Sequence, residues 1–253
     1  MDSLHVATSH GPVALVGRLH VKARPLLLVI GGVFPPREFK DELVDAYPGA
    51  TVLINRLPGM GAPWQANGRP ETVAAALDEA LARLVPNDPI VAYGVSTGCL
   101  VSLRLKAPNV VHHILEEPFF STAELWPVVE IFRRQLAKRK DRQKLAEFLW
   151  EFFGLSATEF PGRSHRDLLD QLRVPADVVV GGAPLEPQRR MDGWPSLTSL
   201  ADRRLLAANS LVTLHEDNGN FGHDFGLMAP GKAKIAALIL RALHASVAKL
   251  KVA

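Results

Sequence analysis

Ser96 stands in the pentapeptide GVSTG, with Gly94 and Gly98 two residues to either side. One apolar run enters this segment and another leaves it, giving IVAYGVSTGCLVSL over 90–103. A serine hydroxyl attacks a carbonyl carbon only when a base takes its proton and nearby donors stabilise the oxyanion. A strand that turns sharply into a helix would project the Ser96 hydroxyl from a strained backbone. It would also aim the Thr97 amide, at a helix N-terminus, into the same space as one oxyanion donor. Glycine at 94 and 98 leaves the space that neighbouring elements need at such a turn. The competing reading is an ordinary tight turn that contains a serine.

The base must be a histidine at the same edge of the fold. Of nine histidines, His5, His10, His20 and His244 lie near the chain ends. His112 and His113 fall inside an apolar strand, where one is expected to be buried and satisfied. His165 belongs to a helical stretch, and His215 lies within a late strand. His223, in NGNFGHDFG, lies on a glycine-rich loop that follows that strand, and it is the candidate base. The competing reading is a surface-loop histidine held by Asp224.

A third residue must orient the imidazole, and three carboxylates are candidates. Asp192 is preferred because it follows the strand ADVVVGG and precedes His223 by 31 residues. Glu186, nearer that strand's end, ranks second, and Glu117, at the end of HHILEEP, ranks third. A second oxyanion donor is expected after RPLLLVIGG, where Gly31 and Gly32 allow close backbone approach. The amide of Val33 or of Phe34 would then point inward.

Alternating strands and helices must position these groups. VATSHGPVALVGRLHV reads as two strands around a turn at 10–12. RPLLLVIGG, ATVLINRL, the segment before Ser96, NVVHHILEEP, VPADVVVGG and SLVTLHED read as further strands. The continuous apolar runs among them suit strands buried on both faces. PREFKDELVDAYPG, RPETVAAALDEALARLVPN, PSLTSLADRRLLAAN and PGKAKIAALILRALHASVAKL read as helices. Residues 119–172 contain no strand pattern. There STAELWPVVEIFRRQLAKRKDRQKLAEFLWEFFG reads as helical, and SHRDLLDQL adds a turn or two. This order predicts an α/β fold, with a mainly parallel central sheet and helices on both faces. Reactive groups in such sheets gather beyond the carboxyl ends of the strands.

Composition agrees with one globular domain of 253 residues, 47% hydrophobic and 22% charged. The first residues lack a basic stretch followed by a long apolar core, so no signal peptide is expected. No apolar run approaches the roughly 20 residues that span a bilayer. A lone cysteine, Cys99, permits no internal disulfide and fits a cytoplasmic location. A net charge of +3 is too small to argue for nucleic acid. No spacing of Cys, His and Asp suggests a metal site, and no cofactor is expected.

Taken together, these segments resemble the α/β-hydrolase superfamily over nearly the whole chain. LLLVIGGVFPP looks like its oxyanion strand and loop, without the histidine common before the glycine. INRLPGMG is similar to its D-x-P-G-x-G strand end, with Arg56 where aspartate is usual. YGVSTG matches its nucleophile elbow, VPADVVVGG the strand before its acid, and NFGHDF its histidine loop. The order Ser96, acid, His223 is the family's order. The resemblance implies a core formed by residues 1–118 and 173–253 and a helical cap formed by residues 119–172. It also implies esterase or thioesterase chemistry on a small-molecule acyl substrate, with Asp more often than Glu as the acid. Two alternatives stay open: acyl transfer by the same residues, and a non-catalytic ligand-binding member of the fold.

Two features lie outside this scheme. Arg133, Arg134, Lys138, Arg139, Lys140, Arg142 and Lys144 form a basic run. It reads first as a solvated helix face, and second as a docking patch for an anionic carrier, a thioester-bearing partner or a membrane surface. Trp126, Phe132, Phe148, Trp150, Phe152 and Phe153 read as a packing face before a ligand pocket.

Overall fold

In the computed structural model, residues 2–17, 25–33, 46–47, 49–184, 195–217 and 222–250 are described. Eight strands form one sheet: β1 (Asp2–Val6), β2 (Val13–Gly17), β3 (Leu26–Ile30), β4 (Thr51–Asn55), β5 (Ile90–Val95), β6 (Val110–Glu116), β7 (Ala176–Val180) and β8 (Val212–Glu216). Their order is β1-β2-β4-β3-β5-β6-β7-β8. Strand β2 runs antiparallel to both β1 and β4, and the pairs from β4 to β8 are parallel. Seven helices are seen among the described residues: α1 (Pro70–Leu84), α2 (Thr97–Ser102), α3 (Trp126–Lys138), α4 (Arg142–Phe153), α5 (Asp167–Asp170), α6 (Leu200–Ala208) and α7 (Ala229–Leu250). A 3₁₀ turn covers His223–Leu227. The helix expected in PREFKDELVDAYPG falls mostly outside the described residues. No helix among the described residues is long and apolar enough to cross a membrane.

The two faces of β3 explain its unbroken apolar run. Leu26, Leu28 and Ile30 pack with α1, α2 and the helices after β6. Leu27 and Val29 pack with Ile235, Leu238, Ile239, Ala242 and Leu243 of α7. With successive side chains on opposite faces and both faces covered, a central strand has no polar position.

One charged cluster sits on the α7 face. Asp177 of β7, 2% exposed, accepts hydrogen bonds from Arg241 at 2.7 Å and contacts His112 and His215 at 2.9 and 2.7 Å. Burial alone would raise its pKa, but the bonds from His112, Arg241 and His215 outweigh burial and hold the carboxyl well below the usual range. A group whose folded pKa is depressed adds stability above its unfolded value and loses it as pH falls toward the folded value. Asp177→Asn is therefore expected to lower Tm most at neutral pH, with the gap to wild type closing below about pH 4. Thermal melts from pH 7 to pH 2.5 check this; a gap independent of pH would refute it.

The stretch between β6 and β7 carries α3, α4 and α5 and no strand among the described residues. The stretch expected to be helical there forms two helices separated at residues 139–141, where Arg139 is extended at φ −82°, ψ 142°. Tertiary partners account for the break. Asp141 accepts from Trp64 Nε1 at 3.0 Å and from Arg139, while Arg139 Nη2 donates to the Gly59 carbonyl at 3.0 Å. The loop after β4 thus holds the point where the chain reverses. Phe132, Phe148, Phe152 and Phe153 are buried and stacked or tilted against one another, as a packing face requires. Trp126 and Trp150 depart from that expectation, being 44% and 39% exposed. Arg163 covers the Trp150 ring at 5.8 Å.

Candidate active site

The turn after β5 is strained. Ser96 has φ 54° and ψ −120°, a conformation that costs a non-glycine residue about 1–3 kcal/mol. Both flanking glycines are required by packing. A Cβ on Gly98 would overlap the Ile30 carbonyl oxygen and stand 2.8 Å from that of Gly31. A Cβ on Gly94 would stand 2.8 Å from the Cα of Cys99. Helix α2 therefore lies directly on β3 and β5. Gly98→Ala is expected to cost several kcal/mol and leave little soluble protein, because both obstructing atoms are backbone. A variant that melts within 2 °C of wild type would refute this.

The Ser96 amide donates to the Glu116 carbonyl at 2.8 Å, which pins the turn to β6. Thr97 opens α2, so its amide has no acceptor within the helix. The loop after β3 approaches from the other side. A Cβ on Gly32 would stand 3.2 Å from Ser96 Cβ and 3.7 Å from Oγ. The Gly31 amide is used in the sheet, donating to the Asn55 carbonyl at 3.2 Å. Val33 follows and is buried; Phe34 lies outside the described residues.

Among the described non-glycine residues, only Ser96 and Glu117 have positive φ, 54° and 52°. They are neighbours. In the parallel pairing of β5 with β6, Val95 lies opposite Glu116, which sets Ser96 beside Glu117 at the carboxyl edge of the sheet. Glu117 is 1% exposed. Its Oε1 accepts from the Gly181 amide and its Oε2 from the Leu197 amide at 2.9 Å. His223 Nδ1 stands 3.6 Å from Glu117 Oε2. That is longer than a hydrogen bond. Buried Arg203 braces the same corner, donating to the Gly181 carbonyl at 2.6 Å and the Thr198 carbonyl at 3.2 Å.

The other histidines sit where their elements take them. His113 is buried against Ser102, its Nδ1 3.0 Å from Oγ, and burial lowers its pKa to about 4. His165 lies between Arg104 and the Phe152 carbonyl. Cys99 is fully buried, its thiol directed at the carbonyls of Gly94 and Glu116 and pushed up by burial. It packs between α2 and the sheet, in an environment that disfavours the thiolate.

The sequence profile of the Alpha/beta hydrolase family matches residues 26–247. The chain belongs to the alpha/beta hydrolase family. This member's fold is shared with a thermophilic esterase from Thermogutta terrifontis, at 17% identity and TM-score 0.63, over 97% of this chain and 99% of that one. It is also similar to the thioesterase domain from the curacin biosynthetic pathway, at 15% identity and TM-score 0.62, over 95% and 99%. An N-acyl homoserine lactonase, AidH, aligns at 16% identity and TM-score 0.58, over 95% of each chain. No curated protein sequence matches the chain.

In this hydrolase-family chain the structure brings Gly32 against Ser96, with Val33 next to it in the chain, and sets Glu117 near His223. Asp192 and Glu186 lie outside the described residues. Glu116 and Tyr93, also part of this corner, carry no signal in the sequence beyond a second acid in LEEP and a tyrosine within an apolar strand.

Proposed function

We propose that this chain is a serine hydrolase of carboxylic esters, thioesters or related acyl bonds. The observation that carries the reading is the juxtaposition of two strained residues, Ser96 and Glu117, with His223 facing Glu117. Positive φ at two adjoining strand ends is a costly conformation that sheet pairing does not demand, and such strain clusters at functional sites. In the proposed sequence Ser96 Oγ attacks the acyl carbon while His223 accepts its proton. The amides of Thr97 and Val33 stabilise the oxyanion. The leaving group departs with the proton from His223, and water activated by His223 releases the acid. Glu117 fixes the imidazole tautomer and offsets its charge. The helices of residues 119–172 act as a cap that bounds the acyl group. The steps require no metal or cofactor.

A panel of activated esters and thioesters of graded chain length, read beside labelling by a fluorophosphonate, tests this. Turnover and a single label on Ser96 are expected. A folded protein that neither labels nor turns over any of the panel would refute it. Added alcohol, amine or thiol acceptors distinguish hydrolysis from acyl transfer by the product formed.

A further inference from the structure

The carboxyl one residue back along β6 is unusual for its position. Glu116 is 4% exposed and points to the face covered by α7, as Ile114 and Tyr93 do. Burying a carboxyl in a sheet is costly unless its partners and its purpose repay it. The phenol of Tyr93, on β5, donates to Glu116 Oε2. Gly226 lies directly on Oε1: a Cβ there would overlap that oxygen and stand 2.9 Å from Oε2. Gly226 belongs to the same 3₁₀ turn as His223. Through its carbonyl, Glu116 also accepts the Ser96 amide at 2.8 Å and the Cys99 thiol at 3.3 Å. It therefore touches the nucleophile's turn with its backbone and the histidine's turn with its side chain.

We propose that Glu116 is a positioning residue for His223, a second carboxylate whose charge answers that of the imidazolium. The inference rests on the reading of His223 as the base. Among the described residues, the titratable groups facing Glu116 are Tyr93 from β5, Cys99 from α2, Glu117 beside it on the chain and His223 from the 3₁₀ turn. Burial pushes Glu116 up to about 7. The Tyr93 hydrogen bond and the His223 charge pull it down, and Glu117 adds to the rise. A neutral ring leaves Glu116 more readily protonated. It ionises more readily once the ring carries charge. Glu117 orients the ring, and Glu116 makes the charged ring less costly.

Glu116→Gln preserves the shape and an acceptor for Tyr93 but removes the charge. A charged carboxylate favours the protonated ring, so its loss lets the ring give up its proton at lower pH. The titration midpoint of the His223 ring, followed by NMR, is expected to fall by about 0.5 pH or more in E116Q. The acid limb of kcat/KM moves the same way, and kcat falls about three- to tenfold with KM little changed. Tyr93→Phe removes a bond that favours the ionised carboxyl and shifts the midpoint in the same direction by less. An unmoved midpoint in folded E116Q, or in Y93F should E116Q not fold, overturns the proposal. The ring titration does not depend on turnover. Phosphonate labelling of Ser96 with an unmoved midpoint sinks the role of Glu116 alone, whereas absent labelling sinks the hydrolase reading.

Discussion

Ser96→Ala is expected to lower kcat on an activated ester by about 10⁴-fold or more, with the fold intact. Cys99 is buried and its thiol is held by two carbonyls. Alanine at 96 keeps the positive φ and its cost, so thermal stability stays near wild type. Ser96→Gly makes a sharper test of the strain. Glycine tolerates φ 54° freely, so relief of about 1–3 kcal/mol is expected to raise Tm by a few degrees while turnover is lost. Steady-state kinetics and melts of the two variants suffice. Retention of more than a tenth of wild-type kcat in S96A would remove the serine from the mechanism.

Glu117→Gln is the second large effect. The proposed role predicts a fall in kcat of about 10²–10⁴-fold, because an amide neither offsets the imidazolium nor enforces its tautomer. A stability loss of about 1–3 kcal/mol accompanies it. The carboxylate satisfies the buried amides of Gly181 and Leu197, and a glutamine oxygen can serve one while its NH₂ group opposes the other. Asp192→Asn and Glu186→Gln, assayed beside it, rank the three carboxylates. The proposed role of Glu117 predicts E117Q as the most damaged. Should D192N lose far more turnover than E117Q, the acid is Asp192 and Glu117 serves as a buried brace.

That ranking shows how much of the site could be read in one dimension. The strand-turn-helix around Ser96 was legible because glycine spacing and flanking apolar runs are local signals. His223 was legible by its place after the last strand. Which carboxylate lies beside Ser96 was not. The sequence places carboxylates after β6 and β7 alike. The pairing of Val95 with Glu116 sets Glu117 beside Ser96, and it joins residues 21 apart in the chain. The positive φ of Glu117 is equally invisible, since glutamate has no preference for it.

The helices of residues 119–172 give the same lesson. Their sequence reads as helical throughout 121–154, and local propensity offers no strong stop at 139–141. The stop comes from Trp64 and Gly59 on the loop after β4, whose polar groups capture Asp141 and Arg139. By itself the sequence determined the alternation of strands and helices, the parallel core, and the strand-turn-helix at Ser96, because each depends on patterns a few residues long. Only the tertiary structure decided that Glu117 faces His223, that Glu116 and Tyr93 lie behind it, and where the helix breaks. These depend on strand register and on side chains meeting across the sheet, which distance along the chain does not encode.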